Sequence, residues 1–386
     1  MTITIAAQRV VTGASGPEPE ALTLVVDGQR IVEVRPGLED GAEVVDGWIV
    51  PGYVDTHCHG GAGADFASPD ADAVAAALTM HRAHGSTSIM ASTVTEAMDD
   101  VIAQIERLRP LVESGDLAGI HLEGPFLSVE KKGAHNPDLL VDPTPERIAE
   151  ILQASQDSVR MVTLAPEREH GLDAVSALEE AGVAAAFGHS DADHTTTAAS
   201  VEAGASVVTH LFNAMRPIHH RDPGPIPFLL DDERVMVELI CDGTHLHPDV
   251  IAMAIDAAGI HRVALVTDAM SATGKPDGEY DLGSLRVAVR SGVAKLLNDD
   301  GTLGAIAGST LTMARAVEFV VSVVGREVGE AAIMAATTPA RWHHLDEVGQ
   351  LQPGRFADLC VVDDAGILQR VMRRGQWVAA EQGASA

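Results

Sequence analysis

The sequence predicts an α/β protein: a (β/α)8 barrel of the TIM type carrying a small β-sandwich domain built from both chain ends. Three observations predict it. Through the centre, apolar strand-like runs alternate with Ala-rich amphipathic stretches, and eight such runs can be read. That alternation implies βα units on a parallel sheet, and eight of them in roughly 290 residues fit a closed barrel better than an open doubly wound sheet. The two ends resemble each other instead, as short strands punctuated by Gly and Asp. Finally, each central run turns polar at its carboxyl end, the face on which such barrels build their sites.

Residues 1–50 open with "MTITIAA", "LTLVVDG", "RIVEVRPG" and "AEVVDGW", short β-type runs with turn residues between them. The barrel is expected over 51–344, from the runs "WIVPGYVDTH", "STSIMASTVT", "LAGIHLEG", "VRMVTLAPE", "VAAAFGHS", "ASVVTHLFNA", "VMVELICDG" and "RVALVTDA". Helices are expected at "DADAVAAALTMHRAHG", "PERIAEILQAS", "LDAVSALEEAG" and "HPDVIAMAIDAAG". Several of these begin with Asp, Ser or Pro and end with Gly, as helix caps prefer. Residues 274–305 interrupt the barrel after the eighth run. They read as a β-hairpin insertion, either a lid or decoration, the second being favoured because nothing in it resembles a catalytic group. Residues 345–386 return to short strands, "FADLCVVDD", "ILQRVMRRG" and "QWVAAE". Together with the first 50 they suggest one discontinuous domain, because chain ends commonly lie close in space.

Composition limits the function. With 386 residues and 46% hydrophobic content the chain can bury a large core. Its 26 basic against 56 acidic residues, a formal net charge of -30, repel nucleic-acid backbones and anionic membranes, so a small molecule is the expected partner. There is no apolar run of about 18 residues, and "MTITIAAQRVV" has no export-signal pattern, so a cytoplasmic location is expected. The cysteines, Cys58, Cys241 and Cys360, are odd in number and far apart, which suits reduced thiols. No GxGxxG follows a strand, so a dinucleotide site has no support.

The polar residues at the run ends carry the chemistry. In "VDTHCHG", Asp55, His57 and His59 alternate directly after an apolar run. Residues two apart share a face, so both histidines point into the barrel while Cys58 points towards the helices. Glu123 ends the third run, His189 the fifth, His210 the sixth and Asp268 the eighth. Imidazoles mixed with carboxylates suit Zn²⁺ or Fe²⁺, whereas oxygens alone would suit Mg²⁺ or Ca²⁺.

The motifs "HCH", "HLEGP", "GHS", "THLFNAM", "DGTH" and "TDAM", in this order, resemble those of the N-acetylglucosamine-6-phosphate deacetylases of the amidohydrolase superfamily. The likeness spans nearly the whole chain. It implies that Glu123, His189 and His210 hold a main divalent metal and that His57 and His59 form a second site, which Glu123 can bridge. One or two ions per subunit are thus expected, zinc first, with iron, cobalt or manganese as alternatives. Many relatives bridge two metals with a carboxylated lysine after the fourth strand. Here that position reads "TLAPE", which argues against a hydantoinase or dihydroorotase.

The resemblance also implies the roles around the metal. Asp268 is the base that takes a proton from the attacking water and returns one to the departing amine. His135 donates to the carbonyl oxygen as charge develops there. Ala134, His245 and Ile306 line the sugar pocket, and Asn213 with the N–H of Ala214 receives the phosphate. Arg221 reaches a neighbouring subunit's substrate, which implies a homodimer. The implied reaction converts N-acetylglucosamine 6-phosphate to glucosamine 6-phosphate and acetate, in amino-sugar catabolism and cell-wall recycling. The alternative enzyme acts on another N-acyl sugar phosphate such as the galactosamine epimer. A non-catalytic sugar-phosphate sensor would be expected to lack Asp268 or a ligand, and a structural metal protein would close the metal's shell.

Overall fold

The computed structural model describes residues 2–379. Its central sheet has eight parallel strands, each hydrogen-bonded to the next in chain order. They are Tyr53–Cys58, Ser86–Thr93, Gly119–Glu123, Val159–Leu164, Ala184–Phe187, Val207–Val208, Met236–Ile240 and Val263–Val266, called strands 1 to 8 below. Seven of the eight expected runs contain one of them whole, and the first, at 48–57, overlaps strand 1 up to His57. The ring closes where the Asp268 N–H donates to the His57 carbonyl at 2.8 Å and Cys58 bridges Ala269. Asp55 adds a side-chain tie across the same seam. Its carboxylate accepts from the Thr267 hydroxyl at 2.7 Å and from the Thr267 N–H at 3.2 Å.

The helices follow local chemistry. Asp70 caps Ala71–Ala83 by accepting from the N–H groups of Asp72 and Ala73. Pro145 and Pro248 open Pro145–Ser155 and Pro248–Ala258, where a missing N–H costs nothing. Their apolar faces pack outside the barrel in two large clusters, while Met161, Ala186, Val207, Met236 and Ala264 form a separate small cluster. A buried chain of hydrogen bonds runs from Ser92 through His121 and Thr163 to Thr209, at 2.9, 2.8 and 2.7 Å. His121, a polar strand-end residue in the sequence, is thereby satisfied internally.

Both chain ends meet in a second, eight-stranded sheet. Its order is Gln376–Trp377, Leu368–Arg373, Leu359–Val362, Trp48–Pro51, Thr2–Val10, Glu20–Asp27 and Arg30–Pro36, with Glu43–Val44 also paired to Thr2–Val10. Ile5, Leu24, Ile31, Ile49, Leu359 and Met372 are fully buried in its core. The run "WIVPGYVDTH" therefore divides into two strands, one in each sheet. The break falls at Gly52, where a Cβ would stand 2.3 Å from the Thr87 hydroxyl oxygen. Only glycine lets the chain cross between sheets so closely against strand 2.

The insertion is a four-stranded antiparallel sheet, Gly278–Leu282, Leu285–Arg290, Val293–Leu297 and Leu303–Ile306. Its buried side chains, Leu282, Val287, Val289 and Ala294, share a core with Met270, Ala272 and Ala307, and Val94 and Ala134 pack against that core. Among the described residues, no helix is long and apolar enough to cross a membrane.

Candidate active site

At the carboxyl ends of the barrel strands lies a pocket of about 400 Å³. His59, Glu123, His135, His189, His210 and Asp268 line it, with Ala134, Asn213, Ala214, His245 and Ile306. His57 sits just beneath, fully buried. Several of these residues have left-handed backbones: His189 at φ 48°, His210 at 30°, Ala214 at 50° and Asp268 at 50°. Such conformations cost an L-residue roughly 1–2 kcal/mol and cluster where function demands a particular side-chain direction. Here they turn the chain sharply as it leaves each strand, so that side chains from different strands converge.

Glu123 is the centre of that convergence. Its Oε1 lies 3.2 Å from His189 Nε2 and 3.0 Å from His210 Nε2. Its Oε2 lies 3.2 Å from His59 Nε2 and 3.6 Å from His57 Nε2. Each carboxylate oxygen thus serves one histidine pair. Within the pairs, Nε2 atoms approach to 3.2 Å for His57 and His59 and to 3.0 Å for His189 and His210. Two imidazole lone pairs at that distance repel unless a proton or a cation stands between them. Facing nitrogens around a shared, buried carboxylate are a donor set that fits a divalent transition metal. His57, His59 and Asp268 each offer a ligand atom within 4.8 Å of the others, as do Glu123, His135 and His189.

The acid–base groups are held in defined states. Burial raises the Asp268 carboxyl, but His57 and His59 outweigh it and bring it to about 2, so Asp268 is a carboxylate at neutral pH. Its Oδ1 stands 3.1 Å from His59 Nε2 and 3.4 Å from His57 Nε2. Glu123, equally buried, is driven well below the usual range by His57 and by bonds to His135, His189 and His210. Burial pushes His135 down to about 4, which leaves a neutral ring. His135 Nδ1 meets the Thr95 hydroxyl at 2.9 Å and the Thr95 N–H at 3.4 Å; the N–H can only donate, which favours the proton on Nε2, 3.6 Å from Glu123 Oε2. His245 is anchored by Asp242, whose Oδ2 takes its Nδ1–H at 2.7 Å.

Three features take their place at the site only in the folded chain. Lys131 lines the pocket, its ammonium 3.3 Å from Asp191 and its carbonyl 2.9 Å from His189 Nδ1. The insertion is not decoration, because Leu282, Ala305 and Ile306 wall the pocket. Nothing polar marks Leu282 or Ala305 in the sequence, since the wall is apolar. Glu238, in the middle of strand 7, is fully buried beneath the histidines, with Oε2 3.2 Å from His57 Nδ1. A charge inside the apolar run "VMVELI" was the signal available for it. Arg221, by contrast, lies outside this pocket, exposed on its loop with its guanidinium against His220 at 2.6 Å.

Residues 48–378 match the model of the amidohydrolase family. A curated N-acetylgalactosamine-6-phosphate deacetylase of Escherichia coli O157:H7 is 37% identical over 85% of this chain and 87% of its own length. The N-acetylglucosamine-6-phosphate deacetylase of Lysinibacillus sphaericus is 34% identical over 95% of each chain. Among solved structures, an Asp-to-Ala variant of N-acetyl-D-glucosamine-6-phosphate deacetylase from Mycobacterium smegmatis, in complex with N-acetyl-D-glucosamine 6-phosphate, superposes with a TM-score of 0.92. It is 42% identical and covers 98% of this chain and 99% of its own. With a family match over most of its length and full-length relatives above 30% identity, this chain belongs to the amidohydrolase family.

Proposed function

We infer that this protein is a divalent-metal-dependent deacetylase that hydrolyses N-acetyl-D-glucosamine 6-phosphate to D-glucosamine 6-phosphate and acetate, in amino-sugar metabolism. The observation that carries the reading is the convergence of Glu123, four histidines and Asp268 at one end of a pocket large enough for a sugar phosphate. Glu123, His189 and His210 would hold one ion and His57 with His59 a second, zinc being favoured by the imidazole–carboxylate set. Bound there, such an ion lowers the pKa of water and polarises the amide carbonyl.

The chain's own groups do the rest. Asp268, ionised at neutral pH, takes the proton of the attacking water and delivers one to the departing amine. His135, neutral with its proton on Nε2, donates to the carbonyl oxygen as negative charge grows there. His245, fixed by Asp242, contacts the sugar, and Ala134, Ile306 and Leu282 exclude water around it. Asn213 and the Ala214 N–H receive the phosphate. The exposure of Arg221 suits a homodimer in which it serves the neighbouring protomer's site.

The galactosamine epimer is the second reading, favoured by the Escherichia coli relative. Acetate release from both epimers, before and after chelation and with metal analysis of the same sample, tests the proposal. The expected result is faster release from the glucosamine substrate, lost on chelation and restored by zinc. Release that ignores chelation would overturn the mechanism, and a preference for the galactosamine substrate would favour the second reading.

A further inference from the structure

Glu238 has no part in the chemistry just described, yet it is a carboxylate with no exposed surface inside the barrel. Such a group is costly unless its oxygens are used. Here both are. Oε1 accepts from the Thr56 hydroxyl at 3.3 Å, and Oε2 lies 3.2 Å from His57 Nδ1 and 3.4 Å from the His210 N–H. Glu238 on strand 7 therefore reaches the end of strand 1 and the turn after strand 6.

The consequence for His57 is specific. A carboxylate can only accept, so the proton of the His57 ring belongs on Nδ1. Nε2 is then left as a lone pair, aimed at the space between Glu123 Oε2, 3.6 Å away, and Asp268 Oδ1, 3.4 Å away. The other histidines differ. The Nδ1 atoms of His59 and His210 are buried and have no hydrogen-bond partner among the described residues, and that of His189 meets a neutral carbonyl, that of Lys131. Of the four histidines proposed as ligands, His57 alone meets a charged acceptor at Nδ1. Outer carboxylates of this kind fix the tautomer and orientation of a ligating imidazole and make it more basic.

We propose that Glu238 is a positioning residue that presents His57 to a second metal ion, and that occupancy of that second site depends on it. The inference rests on the metal-dependent reading above. Glu238 touches His57 through the ring and His210 only through a backbone N–H, so its loss weakens the ion beside His57 and His59 selectively.

The test is a chelator titration of the zinc-loaded enzyme, with metal content read at each step. In the wild type two ions are released in separable steps. Glu238→Gln keeps the shape and an acceptor but removes the charge, and Glu238→Leu removes both. The second ion's affinity falls about 10–100-fold, more in the Leu variant, while the first ion's affinity and the melting temperature stay near wild type. In a His57→Asn background the same substitutions change nothing further. A merely structural role would lower the melting temperature and release both ions in parallel, and that result overturns the inference. So does a folded Glu238→Gln enzyme with native affinity at both sites. If neither variant folds, ¹⁵N spectra of the zinc-loaded wild type decide: His57 carries its proton on Nδ1, and metal on Nδ1 overturns the proposal. A wild type that holds a single ion overturns this inference and leaves the deacetylase reading standing; one that holds none overturns both.

Discussion

Replacing Asp268 by Asn isolates its proposed proton-transfer role. The main-chain bonds at this residue, to the His57 carbonyl at 2.8 Å and from the Ser309 N–H at 2.7 Å, do not involve the side chain and survive. Asn also tolerates the φ of 50° better than most residues. The fold and the ion proposed to sit at Glu123, His189 and His210 should therefore persist. What disappears is a charge 3.1 Å from His59 Nε2 and the capacity to accept a proton. A positioned general base contributes about 10²–10⁴-fold, equivalent to roughly 3–5 kcal/mol of barrier, so kcat should fall by that factor or more. Steady-state acetate release should show the loss in kcat, with KM nearly unchanged and at least one ion retained. Asp268→Ala should lose as much rate and also melt lower, since Ala at this φ costs roughly 1–2 kcal/mol. An Asn variant with kcat within tenfold of native would refute the assignment. One that loses all metal along with rate would recast Asp268 as an essential ligand.

Further outcomes follow from other positions. Gly133 has φ 53°, and a Cβ there would come within 3.0 Å of His189 Cε1, so Gly133→Ala should displace that ring and weaken the ion proposed to bind it. Metal analysis after dialysis would register it, and native retention would count against His189 as a ligand. Arg221→Ala should raise KM for the phosphorylated sugar far more than for the unphosphorylated one, and equal effects would remove the cross-protomer role. Burial raises Asp358 from 3.8 to about 6, so the folded state binds its proton more tightly than the unfolded state. The stability this gives is complete below about pH 4 and is lost as pH rises through about 6. Asp358→Asn keeps the acceptor for the Arg374 N–H and should flatten the denaturant midpoint between those limits, relieving up to roughly 3 kcal/mol above pH 7. An unchanged pH profile would show that Asp358 is not the group responsible.

What the sequence determined by itself is what repeats locally. Alternating strand and helix periods disclosed the eight strands. Their polar carboxyl ends exposed His57, His59, Glu123, His189, His210 and Asp268, because the barrel places every such end on one rim. Tertiary structure alone decided which polar residues face that rim and which are satisfied elsewhere. His121 and Asp55 look like their neighbours in sequence, yet one is bound within the barrel and the other ties strand 1 to Thr267. Glu238 meets His57 across 181 positions, a separation at which no local pattern carries information. The apolar wall that Leu282 and Ala305 add beside Ile306 was hidden for a related reason: a side chain that shapes a pocket by excluding water has the same composition as one that fills a core.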